Sequence, residues 1–116
     1  MILNDPIPIL FDIFSKLYKN ADKVEVWYAD DELIKSDDEE QGQGFTVFPD
    51  DGSEPVIYVS TSLPIKYLPE ILAHEMAHVI AGYSEGHGDA WNDAFDRINT
   101  MYNKVIKDKE LEYNEV

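Results

Sequence analysis

His74, Glu75 and His78 fall in an H-E-x-x-H sequence, His74-Glu75-Met76-Ala77-His78. On a helix His78 lies about 40° around the axis from His74 and Glu75 about 100° from it, so all three edge one polar face. Two imidazoles at this spacing can close on a single Zn²⁺ at about 2.0–2.1 Å, and the adjacent glutamate then reaches the metal's water rather than the metal. Catalytic zinc usually takes three protein ligands and keeps one position for water, so a third ligand is needed. The last histidine of the chain is His87, in Glu85-Gly86-His87-Gly88-Asp89. Its glycines permit a tight reversal that swings the ring back over the metal. The longer pattern H-E-x-x-H-x-x-G-x-x-H is not met, because Ala81 and Ser84 stand at its glycine and third histidine. A glutamate ligand from the next helix is poorly supported, since that helix offers Asp89, Asp93 and Asp96 instead, and His87 is the better third ligand. The pattern predicts one Zn²⁺ per chain on His74, His78 and His87. Glu75 would be the general base that takes the water's proton and delivers it to the leaving amine. The bland alternative is an exposed helix face beside a surface histidine in a glycine loop.

Several elements must hold these residues. From Pro64 to about Gly82 the apolar residues Leu68, Leu72, Ala73, Met76, Val79, Ile80 and Tyr83 share one arc opposite the histidines, which predicts a largely buried helix. Tyr83 falls on that buried arc and is therefore not a transition-state donor. A last helix begins near Asp89 and carries Trp91, Ala94, Phe95, Ile98, Met101, Tyr102 and Val105 at helical spacing. Trp91 reads as core, with a role in positioning the His87 loop as the alternative. Asp89 reads as the cap of that helix, or as a hydrogen-bond partner of a ligand histidine. The tail over 107–116 is charged and is expected to fray.

Upstream, Asp5, Pro6 and Pro8 mark a helix start, with Ile9, Leu10, Ile13, Phe14, Leu17 and Tyr18 recurring to about Asn20. Residues 23–29 alternate as a strand, with Val24, Val26 and Tyr28 on one face and Glu25 and Trp27 on the other. Strands at Phe45–Phe48 and Val56–Ser60 flank turn chemistry at Asp51 and Gly52, which predicts a hairpin. Ser60 and Thr61 end the third strand, either as an exposed edge that pairs with an extended peptide or as an ordinary hairpin edge. The fold class is α+β: a small three-stranded sheet, antiparallel or mixed, packed with an N-terminal helix, the H-E-x-x-H helix and a C-terminal helix in a zincin-like arrangement.

With 116 residues, the chain fits a single domain over 1–116. A composition 44% hydrophobic with two Trp, seven Tyr and five Phe supports a core. Its 24 acidic residues against 9 Lys and Arg leave a net charge of -15, which disfavours direct binding to nucleic acid and to anionic membranes. Seven of those acids crowd residues 30–40, part of an acidic loop at about 30–42. There is no cysteine, so disulfides, thiolate metal sites and thiol nucleophiles are out, and histidine and carboxylate must carry any metal. No secretion signal or stretch of about 20 apolar residues is present, so a soluble, cytoplasmic protein is expected.

His74-Glu75-Met76-Ala77-His78, then Glu85-Gly86-His87-Gly88, Trp91 and Arg97-Ile98-Asn99, resembles the SprT-like (Spartan-type) zinc metalloprotease domain. The strand, glycine turn and strand over 44–64, followed by Leu68-Pro69-Glu70-Ile71-Leu72, is similar to that family's approach to its metal helix. The resemblance covers roughly 43–100 and rests on H-E-x-x-H combined with G-H-G-x-x-aromatic. It implies zinc on His74, His78 and His87, catalysis by Glu75, and a protein or peptide substrate. Family members that act at DNA carry cysteine-ligated or other DNA-binding segments, which this sequence lacks, so recruitment would go through a basic partner. A zinc-dependent endopeptidase is the function these features predict. The alternatives are a non-catalytic, zinc-stabilised binding module and an acidic decoy for a basic nucleic-acid-binding partner.

Overall fold

The computed structural model describes residues 6–30 and 43–114. The predicted acidic loop, apart from Asp30, lies outside the described residues, as does the N-terminal Asp5. Helix α1 spans Pro6–Leu17 and opens on Pro6, whose fixed φ and missing N–H suit a first helical turn. It buries Leu10, Ile13 and Phe14 and ends three residues earlier than expected, because a 3₁₀ turn at Ala21–Lys23 leads into the sheet.

Strands β1 (Glu25–Ala29), β2 (Gly44–Val47) and β3 (Val56–Ser60) form one sheet in the order β1-β3-β2. β1 runs parallel to β3, with Trp27 opposite Tyr58, and β2 runs antiparallel to β3, with Phe45 opposite Tyr58. The sheet is therefore mixed, and β2 and β3 form the predicted hairpin. In its connection Asp51 Oδ1 accepts hydrogen bonds from the Ser53 amide and hydroxyl at 2.9 and 2.6 Å.

One consequence corrects the sequence reading. β3 is the central strand, paired on both sides, so Ser60 and Thr61 do not end an exposed edge. Ser60 is 3% exposed, its amide donates to the Gln43 carbonyl, and the Thr61 amide donates to the Ala29 carbonyl. Among the described residues β1 and β2 are the two edge strands of the sheet. Alternation still sorts the faces: Val24, Val26, Ile57 and Val59 meet the helices, while Phe45 and Tyr58 stack on the opposite face at 4.9 Å. Tyr28 departs from the pattern and is exposed.

Helix α2 spans Leu68–Ala81, entered through a 3₁₀ turn at Ile65–Tyr67, and helix α3 spans Asp89–Asn114. α2 packs against α1, α3, β2 and β3, and so forms the centre of the molecule. Phe14, Leu10, Ile13, Ile57, Leu72, Met76, Ile98 and Val59 are the largest fully buried side chains among the described residues, drawn from helices and sheet into one core. α3 continues to Asn114, past the point where fraying is expected, since residues 107–114 contain neither Gly nor Pro to stop it. Among the described residues no helix is long and apolar enough to cross a membrane.

Candidate metal centre

The α2 wheel presents Leu72, Ala73, Met76 and Val79 to the core, which leaves His74 and His78 half-buried on the opposite edge. α2 stops at Gly82, whose amide donates to the His78 carbonyl at 2.9 Å and whose φ of 96° is one that L residues with a side chain avoid. A 3₁₀ turn at Tyr83–Glu85 follows, and Gly86 at φ 53° completes the reversal. Gly88 has no positive φ; its carbonyl accepts from the Asn92 amide at 3.0 Å and starts α3.

This reversal brings the exposed His87 back over α2. His87 Nε2 lies 3.1 Å from His78 Nε2 and 3.2 Å from His74 Nε2. Three nitrogens bound at about 2.0–2.1 Å to one tetrahedral ion would stand about 3.3 Å apart, so the separations fit a shared ion. The three histidines lie close enough together to bind a metal ion. Asp89 is exposed in the first turn of α3 and, among the described residues, makes no hydrogen bond to a histidine; Asp93 pairs instead with Arg97 at 3.0 Å. Neither Asp89, Asp93 nor Asp96 belongs to the cluster.

Burial favours the ligand form of the two rings on α2. Burial pushes His78 down to about 4, and the neighbouring His74 and His87 add to the shift. His74 is also held below the ordinary imidazole range, first by burial and then by His87, with Glu70 opposing. Neutral imidazoles offer a lone pair to a metal and imidazolium does not.

Trp91 serves both the core and the cluster. It is 9% exposed, its indole N–H donates to the His74 carbonyl at 3.2 Å, and its ring lies 4.8, 5.7 and 4.7 Å from those of His74, His78 and His87. Phe95, stacked on Trp91 at 5.0 Å, extends this aromatic bed to within 6.1 Å of His74.

Glu75 differs from the expectation of a polar, solvent-facing edge. It is 5% exposed, because 100° of rotation from His74 carries it under β2 rather than into solvent. Its Oε1 accepts a hydrogen bond from Thr46 Oγ1 at 2.7 Å. Burial pushes its carboxyl up to about 7, with the Thr46 hydrogen bond opposing. Thr46 was not legible as a site residue from motif spacing. Its signal lay in strand alternation, which turns Thr46 toward α2 and the bulkier Phe45 away.

Two expectations end elsewhere. Tyr83 leaves the apolar arc because α2 stops before it, and it is 80% exposed, edge-on to Phe48 at 5.6 Å. Ser60 and Thr61 line a separate cavity of about 260 Å³ with Tyr28, Leu63, Ile65 and Leu68, and none of the histidines shares its wall. No protein-family model, curated protein or solved structure matches the chain.

Proposed function

We propose that this protein is a zinc-dependent metallopeptidase of the SprT-like type, acting on a protein or peptide substrate. The observation that carries the reading is the convergence of three imidazole Nε2 atoms, 3.1 and 3.2 Å apart, one residue along α2 from a buried carboxylate. Three nitrogen donors at these separations suit Zn²⁺, a borderline-soft ion at home in tetrahedral nitrogen sites. A bound Zn²⁺ would supply Lewis acidity, drawing the pKa of a coordinated water toward about 7 and polarising a scissile carbonyl.

The remaining work belongs to the chain. His74, His78 and His87 would hold the ion through Nε2, and of these rings His87 is exposed to solvent. Trp91 and Phe95 pack against the histidine rings and fix their orientations. Glu75, buried beside His74 and held by Thr46, would be the group that takes a proton at one step and returns it to an amine at the next. Among the described residues β2 is an edge strand lying against Glu75, and it would be the strand to pair with an extended peptide in place of β3.

A cytoplasmic setting, and recruitment to other macromolecules through a basic partner that meets the net charge of -15, complete the proposal. The test is metal content and casein cleavage for the wild type, Glu75→Gln and His87→Ala. The wild type should carry one zinc and cleave, Glu75→Gln should carry zinc without cleaving, and His87→Ala should lose both. Full zinc retention by His87→Ala removes the third ligand, and undiminished cleavage by Glu75→Gln removes the mechanism.

A further inference from the structure

We propose that Thr46 is a positioning residue for the general base: from edge strand β2 it holds the Glu75 carboxylate in place, and Gly44 seats that strand closely enough on α2 for it to do so. This rests on the peptidase reading of Glu75. It concerns a strand that the histidine motif does not touch.

The inward positions of β2 carry its least hydrophobic side chains. Phe45 and Val47 face away from the helices, whereas Gly44 and Thr46 face α2 and both lie against Glu75. A Cβ on Gly44 would sit 3.1 Å from Ile71 Cγ2, 3.0 Å from the Tyr58 carbonyl oxygen and 3.6 Å from Glu75 Cγ. The first two are closer than ordinary packing, and one of them is backbone in the neighbouring strand, which has little freedom to yield. Any larger residue would lift β2 from α2. The strand's approach to Glu75 is thus set by the absence of a side chain.

Two positions along, Thr46 Oγ1 donates to Glu75 Oε1 at 2.7 Å. Threonine is β-branched, so its χ1 is stiff and the direction of its hydroxyl follows the strand. A glutamate has three rotatable bonds; tying one carboxylate oxygen to a rigid strand removes most of that freedom. It also divides the oxygens between two tasks. Oε1 is committed to Thr46, which leaves Oε2 to accept the proton of the attacking water. A misplacement near 1 Å at such a group costs about 100-fold in rate.

The experiment compares Thr46→Val, Thr46→Ser, Thr46→Ala and Gly44→Ala in the full chain, zinc-loaded, on a fluorogenic casein-derived peptide. Thr46→Val keeps shape and loses the hydroxyl, and should lower kcat about 10- to 100-fold with KM within about twofold and zinc content unchanged. Thr46→Ala should match it, and Thr46→Ser should recover most of the loss. Gly44→Ala should reduce kcat in the same manner although it leaves the hydroxyl in place. A purely structural role would lower stability or zinc content and would not separate Ser from Val. Independently of turnover, the ¹³C signal of the Glu75 carboxyl carbon in zinc-loaded protein should move in Thr46→Val and return in Thr46→Ser. Wild-type kcat in Thr46→Val, or equal losses in Val and Ser, would overturn the assignment. If wild-type protein cleaves nothing, the peptidase reading fails, and the carboxyl signal alone then decides: its movement in Thr46→Val but not Thr46→Ser supports the hold on Glu75, and an unmoved signal overturns it.

Discussion

The indole N–H of Trp91 donates to the backbone carbonyl of His74 at 3.2 Å, which ties the first turn of α3 to the helix that carries two of the three converging histidines. The third, His87, sits four residues before Trp91 and packs its ring 4.7 Å from the indole. One side chain therefore sets the distance between the two segments that must meet for a three-nitrogen site to exist. Its ring also supplies the apolar backing that burial of His74 and His78 requires.

Replacement of Trp91 separates these contributions. Trp91→Phe retains most of the packing and loses the hydrogen bond, worth about 0.5–1.5 kcal/mol. Trp91→Ala should cost about 3–5 kcal/mol, as expected for a large core truncation. Zinc affinity should fall about 10- to 100-fold in Trp91→Phe, the usual penalty for disturbing a residue that orients ligands. Urea unfolding of the metal-free protein and zinc titration against a chromophoric chelator read the two effects separately.

Metal removal should weaken the fold. Zinc at about 1,000 times its Kd stabilises the state that binds it by about 4 kcal/mol, so a chelator should lower Tm by roughly 10–25 °C. The shift should vanish in His87→Ala and in His74→Ala. A chelator that leaves the wild-type Tm unmoved while metal analysis shows zinc leaving would mean that the site is not coupled to folding.

Glu75 predicts a pH dependence of one sign. Its carboxyl titrates near 7 in the folded protein against an ordinary value of 4.5, so the metal-free folded state binds more protons than the unfolded state between those values. Stability should therefore decline as pH rises from about 4.5 to 7. Glu75→Gln removes that decline and should stabilise the metal-free protein at pH 8 by roughly 1–3 kcal/mol, while turnover is lost.

His78 works in the opposite direction. Its folded value near 4 lies below the ordinary 6.5, so the metal-free fold binds fewer protons than the unfolded chain in that interval. Its contribution is fully present above about 6.5 and is lost as pH falls toward 4. The urea midpoint of a Glu75→Gln, metal-free protein should drop across this window, and His78→Phe should flatten the drop. A midpoint constant from pH 7 to 4 would remove the buried-imidazole account.

Much of the site was legible in the sequence because its information is local. The spacing of four from His74 to His78 determines that both rings share one helical edge, and the apolar period of Leu68, Leu72, Met76 and Val79 determines which edge faces out. Gly82 and Gly86 announce a reversal by their composition. The α+β class followed from the same periodicities, with helices and strands close to their expected bounds.

What the tertiary structure decided concerns contacts between segments distant in sequence. No pattern within Val56–Ser60 tells whether the strand is central or at an edge, since pairing depends on where β1 and β2 settle; the structure made it central, with β1 and β2 at the edges. No helical wheel tells that the flank holding Glu75 is covered, because the cover is a strand about 30 residues upstream. Tyr83 continued the apolar period on paper and left it in space, because one glycine ended the helix first. The residue types determined by themselves which atoms were capable of holding a metal and moving a proton. Long-range packing, which the chain's local periodicity does not encode, decided that the three imidazoles converge and that Glu75 is buried against Thr46.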